Sequence, residues 1–137
     1  MGVTLTPQLL KGILETDMTW DDLSREYVLP EWFIAIHAKQ VNWWYVSKHQ
    51  VLSEAFIACW YRWVNWTCIS HYQQLSEEFI DQWSGWVNWW SISICQSLSE
   101  EWITTHLDQL NLAVLKMRYP EIYQRYNLEI YHVLNEA

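Results

Sequence analysis

Three consecutive stretches of the chain align without a gap. They are V-N-W-W-Y-V-S-K-H-Q-V-L-S-E-A-F-I-A-C-W-Y-R-W (41–63), V-N-W-T-C-I-S-H-Y-Q-Q-L-S-E-E-F-I-D-Q-W-S-G-W (64–86) and V-N-W-W-S-I-S-I-C-Q-S-L-S-E-E-W-I-T-T-H-L-D-Q (87–109), and each begins 23 residues after the last. A fixed period of this size belongs to folds in which one supersecondary unit stacks on copies of itself. The period also holds two helix starts. Asn42, Asn65 and Asn88 stand as N-caps of a first helix, and Ser53, Ser76 and Ser99 as N-caps of a second. Around each cap an apolar residue lies one before and another four after, as in Val64/Ile69 and Leu75/Ile80. That pairing is the hydrophobic staple that fixes how the chain enters a helix. Two starts per period leave room for about eight or nine helical residues each, too few to persist without tertiary packing.

The pattern degrades toward both ends. Met18-Thr19-Trp20-Asp21-Asp22-Leu23-Ser24 matches the first half of a repeat, and Leu29-Pro30-Glu31-Trp32-Phe33-Ile34 the second, with Pro30 in place of the capping serine. A fifth repeat begins at Leu110-Asn111, and its second half, Tyr119-Pro120-Glu121-Ile122-Tyr123, comes two residues early and runs into a longer final helix ending near Leu134. Upstream, Thr6 caps a helix with Pro7 at its first position and Leu5 stapling onto Leu10. The expectation is an all-α chain, a single α-solenoid domain over 1–137 with about five tandem 23-residue two-helix repeats. Residues 1–17 form an N-terminal cap helix, 18–109 four repeats, and 110–137 a degenerate C-terminal repeat and cap. Only 3 Gly and 3 Pro occur, which argues against a chain of tight β-turns.

Residues that recur at one repeat position are expected to be structural. Trp20, Trp43, Trp66 and Trp89 open each first helix and form an inter-repeat packing ladder. Ser24, Ser47, Ser70 and Ser93 are small enough to let neighbouring helices approach closely. Gln50, Gln73 and Gln96 bond the turn backbone. Glu54, Glu77, Glu78, Glu100 and Glu101 resemble an acidic cluster, but they lie in first turns, where a carboxylate favours the helix dipole. His37 and His106 replace a bulky core residue in the column of Trp60 and Trp83, at opposite ends of the repeat array. The inward stripes are Trp66, Ile69, Ser70 and Gln73 on one helix, and Phe79, Ile80, Trp83 and Trp86 on the other.

Function is sought where repeats differ on a shared face. Asp21, Trp44, Thr67 and Trp90 occupy one column, and Arg25, Lys48, His71 and Ile94 occupy the next, four residues on. Together they mix tryptophan with basic residues in a chain of net charge −8, with 8 Lys+Arg against 16 Asp+Glu. Trp and Arg are favoured interface anchors, and the same mixture can stack a nucleotide base. Trp32 and Tyr61 are further off-stripe aromatics. The candidate partner- or ligand-binding set is therefore Trp44, Trp90, Arg25, Lys48, His71, Trp32 and Tyr61. Trp20, Trp43, Trp66, Trp89, Ser53, Ser76 and Ser99 form the structural set.

The acidic balance disfavours general binding to nucleic-acid phosphates. Cys59, Cys68 and Cys95 are odd in number, share no repeat position and form no C-x-x-C pair, which points to a reducing compartment rather than a disulfide frame or zinc site. With no apolar run long enough for a membrane and no signal-like N-terminus, the expected location is cytoplasmic. No nucleophile elbow, clustered-glycine phosphate loop or H-E-x-x-H occurs, so no catalytic residue, metal or cofactor is expected.

The pattern V-N-W-x-x-I-S-x-x-Q-x-L-S-E-x-F-I, best carried by 64–80 and extending over about 18–109, resembles a short helical repeat of uncharacterised proteins of large DNA viruses and some phages. The extra tryptophans Trp44, Trp60, Trp63, Trp83, Trp86 and Trp90 depart from it. The resemblance implies a virus- or phage-encoded accessory protein, and proteins of that kind act by binding host machinery. The expected function is thus a non-enzymatic, protein-binding solenoid, an inhibitor or adaptor of a host defence factor acting in the host-cell cytoplasm. The alternatives are an aromatic-lined protein that sequesters a nucleotide or other small molecule, and an acidic mimic of nucleic acid.

Overall fold

A computed structural model describes residues 3–4 and 6–136. The chain is mostly helical and divides into two compact units, residues 1–73 and 74–137. The N-terminal unit contains strand β1 (Val3–Thr4), helix α1 (Pro7–Leu14), α2 (Trp20–Glu26), strand β2 (Tyr27–Val28), α3 (Glu31–Ile36), α4 (Trp43–His49), α5 (Glu54–Cys59) and α6 (Trp66–Tyr72). The C-terminal unit contains α7 (Glu77–Gln82), α8 (Trp89–Cys95), α9 (Glu100–Thr105), α10 (Leu112–Arg118), α11 (Pro120–Arg125) and α12 (Leu128–Glu136). First helices lie beside one another within each unit, α2 on α4 and α4 on α6 in one, α8 on α10 in the other. The two-residue strands pair in parallel, Val3 with Tyr27 and Thr4 with Val28.

The caps form as their chemistry requires. The side chains of Asn42, Asn65 and Asn88 accept from the backbone N–H of Tyr45, Cys68 and Ser91, and those of Ser53, Ser76 and Ser99 from Phe56, Phe79 and Trp102. Thr6 caps α1 in the same way, while its proposed Leu5 staple lies outside the described residues. The staple residues are buried, with Val46, Ile57, Ile69, Ile80, Ile92 and Ile103 fully so. First helices run seven residues and second helices six in the complete repeats, shorter than the eight or nine expected. The reason lies at the C-terminal ends. Gln50, Gln73 and Gln96 turn to extended backbone immediately after the first helix, near φ −86°, ψ 146° at Gln50.

Those glutamines do bond turn backbone, but that of the preceding repeat. Gln50 Nε2 donates to the carbonyls of Ser24 and Tyr27 at 2.8 and 2.7 Å, and its Oε1 accepts from the N–H of Leu29 at 2.8 Å. Gln73 repeats the pattern on Ser47, Gln50 and Leu52 at 2.9, 2.6 and 3.1 Å. In the C-terminal unit Gln96 Oε1 accepts from Leu75 N–H at 3.1 Å. Tyr119 stands where the last repeat should have this glutamine, and the job is split. Its hydroxyl accepts from Leu98 N–H at 3.4 Å, and the neighbouring Arg118 donates to the Ser93 carbonyl at 2.8 Å.

The serine column also carries hydrogen bonds as well as making room. Ser24, Ser47, Ser70 and Ser93 are fully buried. Ser24 Oγ donates back to the Trp20 carbonyl at 2.7 Å and accepts from Asn42 N–H at 3.0 Å. Ser47 accepts from Asn65, and Ser93 from Asn111, both at 2.9 Å. A third link joins second helices. Glu31 takes both the N–H and the hydroxyl of Ser53, at 2.7 and 3.1 Å, and Glu77 does the same to Ser99 at 2.7 and 3.0 Å. These first-turn carboxylates therefore cap the helix of the next repeat in addition to favouring their own dipole.

Three expectations need correction, and a fourth gains detail. The tryptophan column reaches the preceding repeat through its indole N–H groups, and its rings pair inside a repeat: Trp20 stacks on Phe33, Trp43 on Phe56 and Trp89 on Trp102, with ring centroids 6.3, 6.4 and 6.2 Å apart. Each pair joins the first helix of a repeat to its second, and Trp43 and Trp66 anchor further by donating Nε1 to the carbonyls of Ala38 and Tyr61 at 2.8 Å. Trp86 is exposed, because α7 ends at Gln82 and helical spacing does not extend into the turn beyond it. Helices are also shorter than expected, as described above. The long final helix is broken into α11 and α12 by Asn127, whose φ of 56° is the left-handed conformation that asparagine tolerates better than most residues.

Candidate functional site

With the periodic polar groups engaged in linkages, the residues that vary on the first-helix face of the N-terminal unit stand apart. Lys48 on α4 is at their centre. Its Nζ lies 4.8 Å from the ring centroid of Trp44, one turn back on the same helix, and 5.3 Å from that of Tyr72 at the end of α6. Trp44 is 46% and Tyr72 50% exposed, so each ring gives one face to the ammonium group and leaves surface to solvent. A cation over aromatic faces is attracted by about 0.5–1 kcal/mol at exposed sites and more as water is removed. On α6, His71 is half-buried with its ring 4.6 Å from that of Tyr72, and Thr67 is exposed.

Arg25 on α2 occupies the equivalent column but is differently committed. Its guanidinium lies over Tyr45 at 5.2 Å and bonds Asp22 at 2.8 Å and Glu26 at 3.3 Å. Hydrogen bonds from Thr19, then the Arg25 charge, hold Asp22 below the usual carboxylate range. Asp21 is engaged by the side-chain amide of Asn42 at 2.9 Å. His49, next to Lys48, is held below the ordinary imidazole value by burial and then by repulsion from Lys48 and Arg25. Arg25 is thus neutralised by carboxylates of its own helix, whereas no ion pair to Lys48 is found among the described residues.

The other candidates lie elsewhere. Trp32, 62% exposed, edges a shallow groove of about 300 Å³ between α3 and α5, lined also by Ala35, Ala55, Cys59 and Trp60. Tyr61 is half-buried; its hydroxyl accepts from Arg62 at 2.9 Å and its carbonyl receives Trp66 Nε1. Trp90, 51% exposed, and Ile94 belong to the C-terminal unit. Thus Arg25, Trp44, Lys48, Thr67 and His71 all belong to the N-terminal unit, where Lys48 meets Trp44 and Tyr72, and Arg25 meets Tyr45. Tyr72, which joins them, was not singled out from the sequence. It stands in the column of His49 and Cys95, where variation could have flagged it.

His37 and His106 fill the positions expected of them. His37 lies 4.5 Å from Phe33, and His106 stacks on Trp102 at 3.8 Å while bonding Asp81 at 2.6 Å. In the C-terminal unit, Tyr123 is buried, with its hydroxyl 3.1 Å from both Glu129 and His132, and Lys116 bonds Glu129 at 3.2 Å. Lys116 and Tyr123, in that order, hold Glu129 below its ordinary value. Among the described residues no group of His, Cys, Asp and Glu could hold a metal ion, and no helix is long and apolar enough to cross a membrane. Comparison with protein-family models, with curated proteins and with solved structures finds no match to this chain.

Proposed function

We propose that this chain is a non-enzymatic α-solenoid of tandem two-helix repeats that binds a protein partner through the Trp44–Lys48–Tyr72 face. The observation that carries the reading is the ammonium of Lys48 seated between two half-exposed rings, while Arg25 and Asp21 are engaged within the chain. Exposed aromatic surface around a held cation is the composition of an interface anchor. The solenoid is supported by side-by-side first helices and by the same glutamine, serine and glutamate linkages at successive repeats. The resemblance of the repeat to viral and phage sequences further suggests an inhibitor or adaptor of a host factor, acting in the host cytoplasm.

The geometry favours this reading over nucleotide sequestration. The ring faces that would stack a base already receive Lys48, so a base would have to displace it. Against nucleic-acid mimicry, two of the helix-start carboxylates, Glu31 and Glu77, are bound to serine caps. The test is affinity capture with wild-type protein beside Trp44→Ala, Lys48→Ala and Trp86→Ala. A partner retained by wild type and Trp86→Ala but lost by the first two supports the reading. A partner retained by all four places binding elsewhere, and a nucleotide that quenches the Trp44 fluorescence would favour the sequestration alternative.

A further inference from the structure

We infer that the partner is recognised through an acidic peptide segment, with an Asp or Glu carboxylate seated on Lys48 and a flanking apolar or aromatic side chain lying against Trp44 or Tyr72. This rests on the protein-binding reading and names the chemistry of its partner. The first support is charge complementarity. Carboxylates outnumber cations two to one, 16 to 8, yet among the described residues Lys48 makes no ion pair. Arg25, Lys116 and Arg125, by contrast, each bond a carboxylate of the chain itself. Lys48 is also restrained, half-buried between rings on two helices, so less of its side-chain freedom remains to be lost when a partner binds.

The second support is the local field. His49 loses proton affinity partly through Lys48 and Arg25, and the burial that raises the Cys68 thiol is opposed by Lys48. An ammonium without an ion pair, on a chain of net charge −8, is a place where a carboxylate is attracted while most of the surface repels it. The third is what the face lacks for a phosphate. Phosphate sites gather several donors, from arginine forks or free backbone N–H groups. Here one ammonium is available. In the first turns of α4 and α6, Asn42 and Asn65 take the N–H groups of Tyr45 and Cys68. A single carboxylate matches a single lysine between apolar walls.

The experiment is selection from a random twelve-residue peptide display library on immobilised wild-type protein, with Lys48→Gln and Lys48→Glu in parallel and far-UV circular dichroism to establish that each variant folds. Wild type should enrich peptides carrying Asp or Glu beside an aromatic or aliphatic residue. Lys48→Glu should lower recovery of those peptides about tenfold, because like charges are then juxtaposed. Lys48→Gln should fall between. Peptides enriched without an acidic bias, or recovered equally by Lys48→Glu, would overturn this inference and leave the protein-binding reading standing. Inorganic phosphate that displaces the selected peptides where chloride of equal ionic strength does not would overturn it in favour of a phosphate ligand. No enrichment by any folded protein would overturn both.

Discussion

Gln73→Ala should be among the most destabilising substitutions at any polar position of this chain. Gln73 is 7% exposed and bonds three backbone groups of the preceding repeat, the carbonyls of Ser47 and Gln50 and the N–H of Leu52. Truncation leaves all three without this partner. A buried polar group left unsatisfied costs about 1–3 kcal/mol, and water entering the vacated space would recover part of that for the two carbonyls. The expected loss is about 3–5 kcal/mol, a large part of the 5–15 kcal/mol typical of a domain. Gln73→Glu separates hydrogen bonding from volume. It keeps the acceptor for Leu52 but cannot donate to the two carbonyls when ionised, so it should destabilise at neutral pH despite its near-identical shape. Gln74→Ala, at an exposed neighbour, should stay within about 0.5 kcal/mol of wild type. Urea unfolding followed by far-UV circular dichroism measures all three. If Gln73→Ala falls within about 1 kcal/mol of Gln74→Ala, the glutamine linkage is not what holds successive repeats together.

Ser76→Ala should cost about 0.5–2 kcal/mol through loss of a cap, and Trp66→Ala about 2–4, less than a fully buried ring because Trp66 is half-buried; equal small losses in thermal unfolding would contradict the packing described for Trp66. For His49, whose folded value lies below the ordinary 6.5, the unfolded chain binds the proton more readily. Stability from this residue is present above that pH and lost as pH falls through it, so His49→Gln should flatten the decline of melting temperature between about pH 7 and 5. Cys59 is exposed, whereas Cys68 is buried and its thiol pushed up by burial. Iodoacetamide should therefore label Cys59 in the folded protein and Cys68 only on unfolding, as read by peptide mass spectrometry.

Caps and staples were legible in the sequence because they depend on residues three to five apart. Asn42, Asn65, Asn88, Ser53, Ser76 and Ser99 consequently act where the spacing put them. The linkages were less legible. Gln73 reaches carbonyls 23 and 26 residues back, and only the stacking of one repeat on the last brings those groups within reach. The size of Ser47 was readable, but the role of its hydroxyl depended on where Asn65 would arrive. Trp86 lies beyond the end of α7, so the helical spacing that puts it on an inward stripe does not apply and the ring is exposed. At the candidate site, Trp44 and Lys48 could be paired from their i, i+4 spacing. Tyr72 could not, since its approach to Lys48 depends on α6 lying against α4.

Amide hydrogen exchange resolved by NMR tests most directly the claim that the recurring polar side chains are the links between repeats. Leu29, Leu52 and Leu75 are outside helices, yet their N–H groups are given to Gln50, Gln73 and Gln96. Their amides should exchange as slowly as that of Ile57, inside the α5 core, while that of neighbouring Val51, 90% exposed, exchanges fast. Leu29, Leu52 and Leu75 exchanging as fast as Val51 would contradict the account.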